Sequence, residues 1–128
     1  AERLNEQEKF RISVASLLPE DRVLRRMLQS FNNSLADREN LLIHLHEIRE
    51  ALVTEFSNEK SAREAVGVSD AQWRAFGRVA NDEPLLEGRH RGKHNELRNA
   101  TSDEIDQALK FSQTLIEGYV GYQTSKLS

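Results

Sequence analysis

The amino-acid sequence predicts an all-α fold, an antiparallel helical bundle of about five helices joined by short links. Three observations carry this reading. Apolar residues recur every three or four positions in several segments, which is the period of one helix face. Six glycines and two prolines leave little punctuation in 128 residues, and the β-branched residues are scattered. Two capping boxes, Ser69-x-x-Gln72 and Thr101-x-x-Glu104, mark helix starts.

Taken in order, residues 6–17 contain the one alternating stretch, Phe10-Arg11-Ile12-Ser13-Val14, but a lone strand has nothing to pair with, so the segment is read as helical. Leu18-Pro19-Glu20-Asp21 opens a second helix over 20–32, with Pro near the first position and acids in the first turn. Its apolar face is Val23, Leu24, Met27, Leu28 and Phe31, and Asn32-Asn33-Ser34 is expected to stop it. Ser34-x-x-Asp37 then opens a longer helix over 36–56, where Leu41, Leu45, Ile48, Leu52 and Phe56 form a continuous stripe before Ser57-Asn58. Ala62, Ala65 and Val66 mark a short helix closed by Gly67. A helix over 70–80 follows the first capping box and carries Trp73, Phe76, Val79 and Ala80. The last, over 102–123, follows Thr101 and presents Ile105, Leu109, Ser112, Ile116 and Tyr119, with Ala108, Phe111, Leu115 and Tyr122 widening the buried face. Residues 1–33 are read as an N-terminal helical extension to a domain over 34–128, or as part of one continuous domain.

Composition bounds the rest. A chain of this length is one domain by size and buries roughly two-thirds of its unfolded surface. With 38% hydrophobic and 30% charged residues it falls in the globular class, although a mean hydropathy of -0.67 makes the core lean. The absence of cysteine excludes a disulfide framework, a thiolate zinc site and a cysteine nucleophile. A soluble, cytoplasmic protein is therefore the default expectation. No stretch approaches the roughly 20 apolar residues of a membrane span, and Ala1-Glu2-Arg3-Leu4-Asn5-Glu6 is too polar for a signal peptide. Because the chain does not begin with Met, it is expected to be a fragment, with a neighbouring domain holding part of the function. A net charge of -3 excludes a wholesale cationic surface, so any polyanion site is local.

One link is not short. Between Ala80 and Thr101 lie about twenty residues without a clean period, including Pro84, Gly88 and Gly92. Within it, Glu87 to Arg98 holds two of the four histidines and four cations (Arg89, Arg91, Lys93, Arg98) against two acids. Glycines let the backbone approach a ligand, arginine presents a planar fork that matches phosphate, and histidine titrates near neutral pH. These are parts for handling a phosphodiester: a guanidinium offsets charge building on phosphorus, and an imidazole moves the proton of a hydroxyl. The competing reading is a solvated basic turn between two helices.

Arg89-x4-His94, with polar His90 directly after the arginine and the pair placed before the final helix, resembles the R-x(4–6)-H motif of HEPN domains, a family of α-helical proteins that includes many RNases. The resemblance covers about 34–128. It implies a HEPN-like fold and metal-independent endoribonuclease activity without a cofactor, in a toxin- or defence-associated role with an antitoxin as a partner. It further implies a homodimer that brings two motifs together across a cleft, with the ribose 2′-hydroxyl as nucleophile. On that carry-over Arg89 stabilises the transition state, His94 is the general acid or base, and His90 orients or binds phosphate beside Arg91 and Lys93. Two other outcomes stay open: a non-catalytic HEPN-like module that binds nucleotide, RNA or a protein partner, and a helical dimerisation domain. Arg38-x5-His44 also satisfies the pattern, but acidic Glu39 follows its arginine. The family's motif abuts or enters a helix, whereas here the cap at Thr101 follows His94 by seven residues.

The remaining candidates read as structural. His44 and His46 lie two apart on a helix and point to nearly opposite sides, so they do not chelate one ion. His46 is four residues from Glu50 and is read as a surface pair. His90-x3-His94 lacks carboxylate partners for a metal. Trp73, Phe76, Tyr119 and Tyr122 sit at helical spacing and are read as core. No Ser-His-Asp spacing, Walker loop or dinucleotide fingerprint is present.

Overall fold

The computed structural model describes residues 5–82, 85–87 and 98–126. Among them are six α-helices: α1 Glu6–Leu17, α2 Arg22–Ala36, α3 Leu41–Phe56, α4 Glu59–Val66, α5 Asp70–Gly77 and α6 Ser102–Lys126. The all-α class holds, and the described residues contain no strand beyond a single parallel bridge between Leu85 and Arg98.

Local chemistry sets the helix ends. Asn5, Asp21, Asn58 and Ser69 each accept a backbone N–H of the first turn through their side chains, at 2.7, 2.9, 2.7 and 3.1 Å. Thr101 and Glu104 form the second capping box, with bonds of 3.1 and 2.9 Å in opposite directions. Gly67 closes α4 with φ +77°, the left-handed conformation that glycine adopts without steric cost.

Several boundaries differ from the reading of the sequence. The second helix starts at Arg22 rather than 20, because Asp21 is its N-cap, and its first turn holds no acid. The helix expected over 20–32 runs on to Ala36, because Ser34 is fully buried and its hydroxyl donates to the Phe31 carbonyl at 2.6 Å. Spent inside α2, that hydroxyl does not cap the next helix, and α3 begins at Leu41 after a 3-10 turn over Arg38–Asn40. At the other end, the helix expected over 70–80 is α-helical to Gly77 and continues as a π-helical turn over Arg78–Asp82.

The core is centred on α3, whose Leu41, Leu42, Leu45, Ile48 and Leu52 are fully buried. Each such side chain contributes about 1.5–3 kcal/mol relative to an exposed one. α2 adds Leu24 and Met27, and α6 adds Leu115, Ile116, Tyr119 and Val120. Trp73, Phe76 and Tyr119 are buried as the helical spacing indicated, and Tyr122 is half-buried with its ring edge-on to Phe56 at 5.1 Å. The hydroxyl of Tyr119 donates to the Asp21 carboxylate at 2.8 Å, and Gln123 donates to both. Burial, and then the Asp21 charge, push that hydroxyl well above the usual phenol range. A buried polar network of this kind ties α6 to the start of α2.

α4 crosses α6 at close range. A Cβ on Gly118 would lie 2.8 Å from Val66 Cβ and closer still to the Val66 carbonyl oxygen. On the far side, the Arg49 guanidinium sits 5.0 Å from the centre of the Trp73 ring, donates to the Trp73 carbonyl at 3.3 Å and pairs with Glu59 at 3.7 Å.

Candidate functional site

Arg89, His90, Arg91, Lys93 and His94 lie outside the described residues. The structure does describe the two ends of the segment that carries them. Leu85 is fully buried and anchors the outgoing chain. Opposite it, the N–H of Leu86 donates to the Arg98 carbonyl at 2.9 Å. Glu87 is 8% exposed, and its carboxylate accepts the N–H of Ala100 with both oxygens at 3.0 Å. Glu87 and Arg98, the described residues on either side of 88–97, are therefore held at adjacent points of the bundle.

Arg98 completes this clasp. Its guanidinium grips Glu104 in a two-pronged ion pair, with bonds of 2.7 and 2.9 Å. The same carboxylate accepts the N–H of Thr101, so one acidic side chain both caps α6 and holds the returning strand. The Arg98 hydrogen bond, assisted by those from Thr101, holds the Glu104 carboxyl well below its ordinary value of 4.5, at about 2. Because the folded pKa is depressed, the pair contributes stability above about pH 4.5 that is lost as pH falls towards 2. Arg98 is exposed, and solvent screening leaves roughly 0.2–1 kcal/mol of that contribution. Urea titrations between pH 5 and 2.5 are expected to show this acid-dependent loss in the parent chain. In Glu104→Gln the corresponding part of the slope disappears, and an unchanged slope would contradict the clasp.

With Arg98 paired to Glu104 and Glu87 committed to Ala100, the charge of the segment between them can be counted. Residues 88–97 carry Arg89, Arg91 and Lys93 against Glu96, a formal +2, whereas the chain as a whole is -3. The other 118 residues thus sum to -5, so the local net charge of 88–97 is opposite in sign to that of the rest of the chain.

Glu104 also marks one end of a groove of about 330 Å³ between α5 and α6. Phe76, Val79 and Phe111 form its apolar floor, and Gln72 and Gln107 stand on its rim. The base of the positive segment and the groove thus meet at one residue.

The second motif match is resolved in full. Arg38 is exposed at the start of the 3-10 turn, and His44 Nε2 lies 2.9 Å from Asp37 Oδ2, which also accepts Asn40 Nδ2 at 3.0 Å. The ring of His44 is thus held by a carboxylate at the junction between α2 and the 3-10 turn that precedes its helix. His46 corrects the surface reading: it lies 3.6 Å from Glu50, as the spacing implies, but is 1% exposed and packed in the core. The reason is its place beside Leu45 on the buried side of α3. No group of three His, Cys, Asp or Glu able to hold a metal occurs among the described residues. None of the described helices is long and apolar enough to cross a membrane.

Glu87 and Arg98 were read from the sequence only as charges of the segment, and the structure assigns both to its clasp. A signal for Arg98 exists, since a cation preceding a capping-box glutamate by six residues is placed to reach it. Glu87 has no such signal, because its partner is a backbone N–H. The chain matches no protein-family model, no curated protein and no solved structure.

Proposed function

We propose that the chain is a HEPN-like, metal-independent endoribonuclease in which Arg89 and His94 act on RNA. The observation that supports this most is the net charge of +2 over residues 88–97, against -5 elsewhere, in the segment that carries the R-x4-H spacing and whose flanking residues Glu87 and Arg98 are tied to Ala100 and Glu104. In this reading an imidazole accepts the proton of the ribose 2′-hydroxyl, the 2′-oxygen bonds to phosphorus and the bond to the 5′-oxygen breaks. An imidazolium returns a proton to the leaving oxygen. Arg89 offsets the charge on the phosphorane, while His90, Arg91 and Lys93 hold neighbouring phosphates. A homodimer with two loops facing one cleft supplies one His94 for each proton transfer and doubles the local charge. On this reading it works in the cytoplasm as a toxin- or defence-associated component, together with an antitoxin or a neighbouring domain.

The six residues between His94 and the α6 cap favour a second reading, a non-catalytic module that retains RNA or nucleotide through Arg89, Arg91 and Lys93. One gel separates the two. Labelled single-stranded RNA incubated with the chain in excess chelator is expected to yield discrete shorter products. RNA retained in a salt-sensitive complex but left intact would overturn the nuclease reading in favour of the binding module.

A further inference from the structure

We infer that the groove between α1 and α6 is a self-association face, covered in solution by the same face of a second copy, with Ile12 of each protomer seated over Gly121 of the other. This gives the homodimer proposed above its contact surface, and it holds whether or not the chain cuts RNA.

α1 is the one α-helix among the described residues with no fully buried residue. A helix of twelve residues draws its stability from the packing of an apolar face rather than from propensity. Phe10, Val14 and Leu17 supply such a face at helical spacing, yet all three are only half-buried. The gap beside them is a groove of about 840 Å³, where Phe10 of α1, Leu28 and Phe31 of α2, and Ile116 and Val120 of α6 form the apolar lining. Gly121 opens the groove down to the α6 backbone. A Cβ built there meets nothing within 4 Å, whereas one built at Gly118 runs into Val66. On α1, Ile12 is 55% exposed, the most exposed large apolar side chain among the described residues.

A projecting apolar side chain and a hollow of matching character on one molecule meet the condition for an isologous contact, in which a patch is complementary to itself. Charge agrees with this. The charged residues of the groove are Glu6, Lys9 and Glu117, and Lys9 lies 3.6 Å from the exposed Glu6. Two copies set face to face bring Lys9 of each towards Glu117 of the other. Lys9 and Ile12 are three apart on α1, and Glu117 and Gly121 are four apart on α6, one turn in each case, so the ion pair and the apolar contact fit one register. Length agrees too. From Gln113 to Ser125 the groove follows α6 for about 18 Å, the length of α1 itself. One cation against two acids does not suit a nucleic acid or an anionic membrane, which need a cationic face. The face begins nine residues beyond Glu104, about 14 Å along α6, and so excludes the Arg98–Glu104 pair.

Sedimentation equilibrium of the full chain from micromolar to millimolar concentration is expected to show a reversible dimer. Ile12→Arg, at an exposed position, is expected to weaken it about tenfold with an unchanged circular dichroism spectrum. Lys9→Glu is expected to weaken it about fivefold, and Lys9→Glu combined with Glu117→Lys to restore it. Because the chain has no cysteine, single Ile12→Cys and Gly121→Cys variants report the contact directly. Under mild oxidation an equimolar mixture of the two is expected to form more disulfide-linked dimer than either variant alone. A chain that stays monomeric at millimolar concentration, a dimer unmoved by Ile12→Arg, or cross-linking no greater in the mixture would overturn the interface. Cleavage of RNA by a chain that does not associate through this face would remove the interface and leave the nuclease, and a dimer of this kind that leaves RNA intact would do the reverse.

Discussion

Replacing Gly118 by Ala is expected to destabilise the protein by about 2–4 kcal/mol, lowering its melting temperature on the order of 10 °C. The direction is opposite to what helix propensity alone dictates, since Ala is favoured over Gly in a helix interior by about 1 kcal/mol. Packing reverses the sign. The added methyl would overlap the carbonyl oxygen of Val66 and come within 2.8 Å of its Cβ. Val66 is the last residue of α4, pinned by the N–H groups of Gly67 and Val68, both donating to the Arg63 carbonyl at 2.9 and 3.1 Å. The obstacle is therefore backbone, which yields only if α4 moves away from α6. Gly121, three residues further along α6, has nothing within 4 Å of a built Cβ, and Gly121→Ala is expected to leave stability unchanged or slightly raised. Thermal melts of the two variants separate packing from propensity. Equal gains in both would mean that α4 does not approach α6 as described.

The second large effect is catalytic. Arg89→Ala and His94→Ala are each expected to reduce RNA cleavage by about 10²–10⁴-fold, the range for loss of a positioned acid or base or of transition-state charge stabilisation. The helical spectrum and the melting temperature are expected to stay near those of the parent, because the described core and the pairs Glu87–Ala100 and Arg98–Glu104 are retained in both variants. Arg38→Ala and His44→Ala provide the internal comparison, because they satisfy the same spacing at the turn before α3. Their cleavage rates are expected to match the parent. Full activity in His94→Ala together with loss in His44→Ala would move the reaction to the His44–Asp37 pair.

The helices were legible because their signals are local. The stripe from Leu41 to Leu52 on α3 and the capping boxes at Ser69 and Thr101 depend on spacing alone, and the buried leucines and the bonds at both boxes follow from it. Ser34 misled because a buried serine bonds equally well to a carbonyl of its own helix, and only the packing of α2 against α3 decides which partner it takes. His46 misled for a related reason: four-residue spacing to Glu50 fixes the pair, not the depth at which the pair sits. Of the candidate site, spacing and composition indicated Arg89, His90, Arg91, Lys93 and His94, which lie outside the described residues. The clasp beneath them was not legible, since a carboxylate meeting a backbone N–H thirteen residues away leaves no residue pattern. The α5–α6 groove was hidden as well, because Phe76 and Phe111 follow the same period as any core aromatic, and only the structure shows them at the floor of an opening.

The most direct test of metal-independent transesterification by the loop is the identity of the ends it leaves on RNA. Mass spectrometry of RNA cut by the chain in excess chelator is predicted to find a 2′,3′-cyclic phosphate on the upstream fragment and a 5′-hydroxyl on the downstream one. A 3′-hydroxyl paired with a 5′-phosphate would contradict it, because water rather than the neighbouring 2′-oxygen would then have attacked phosphorus.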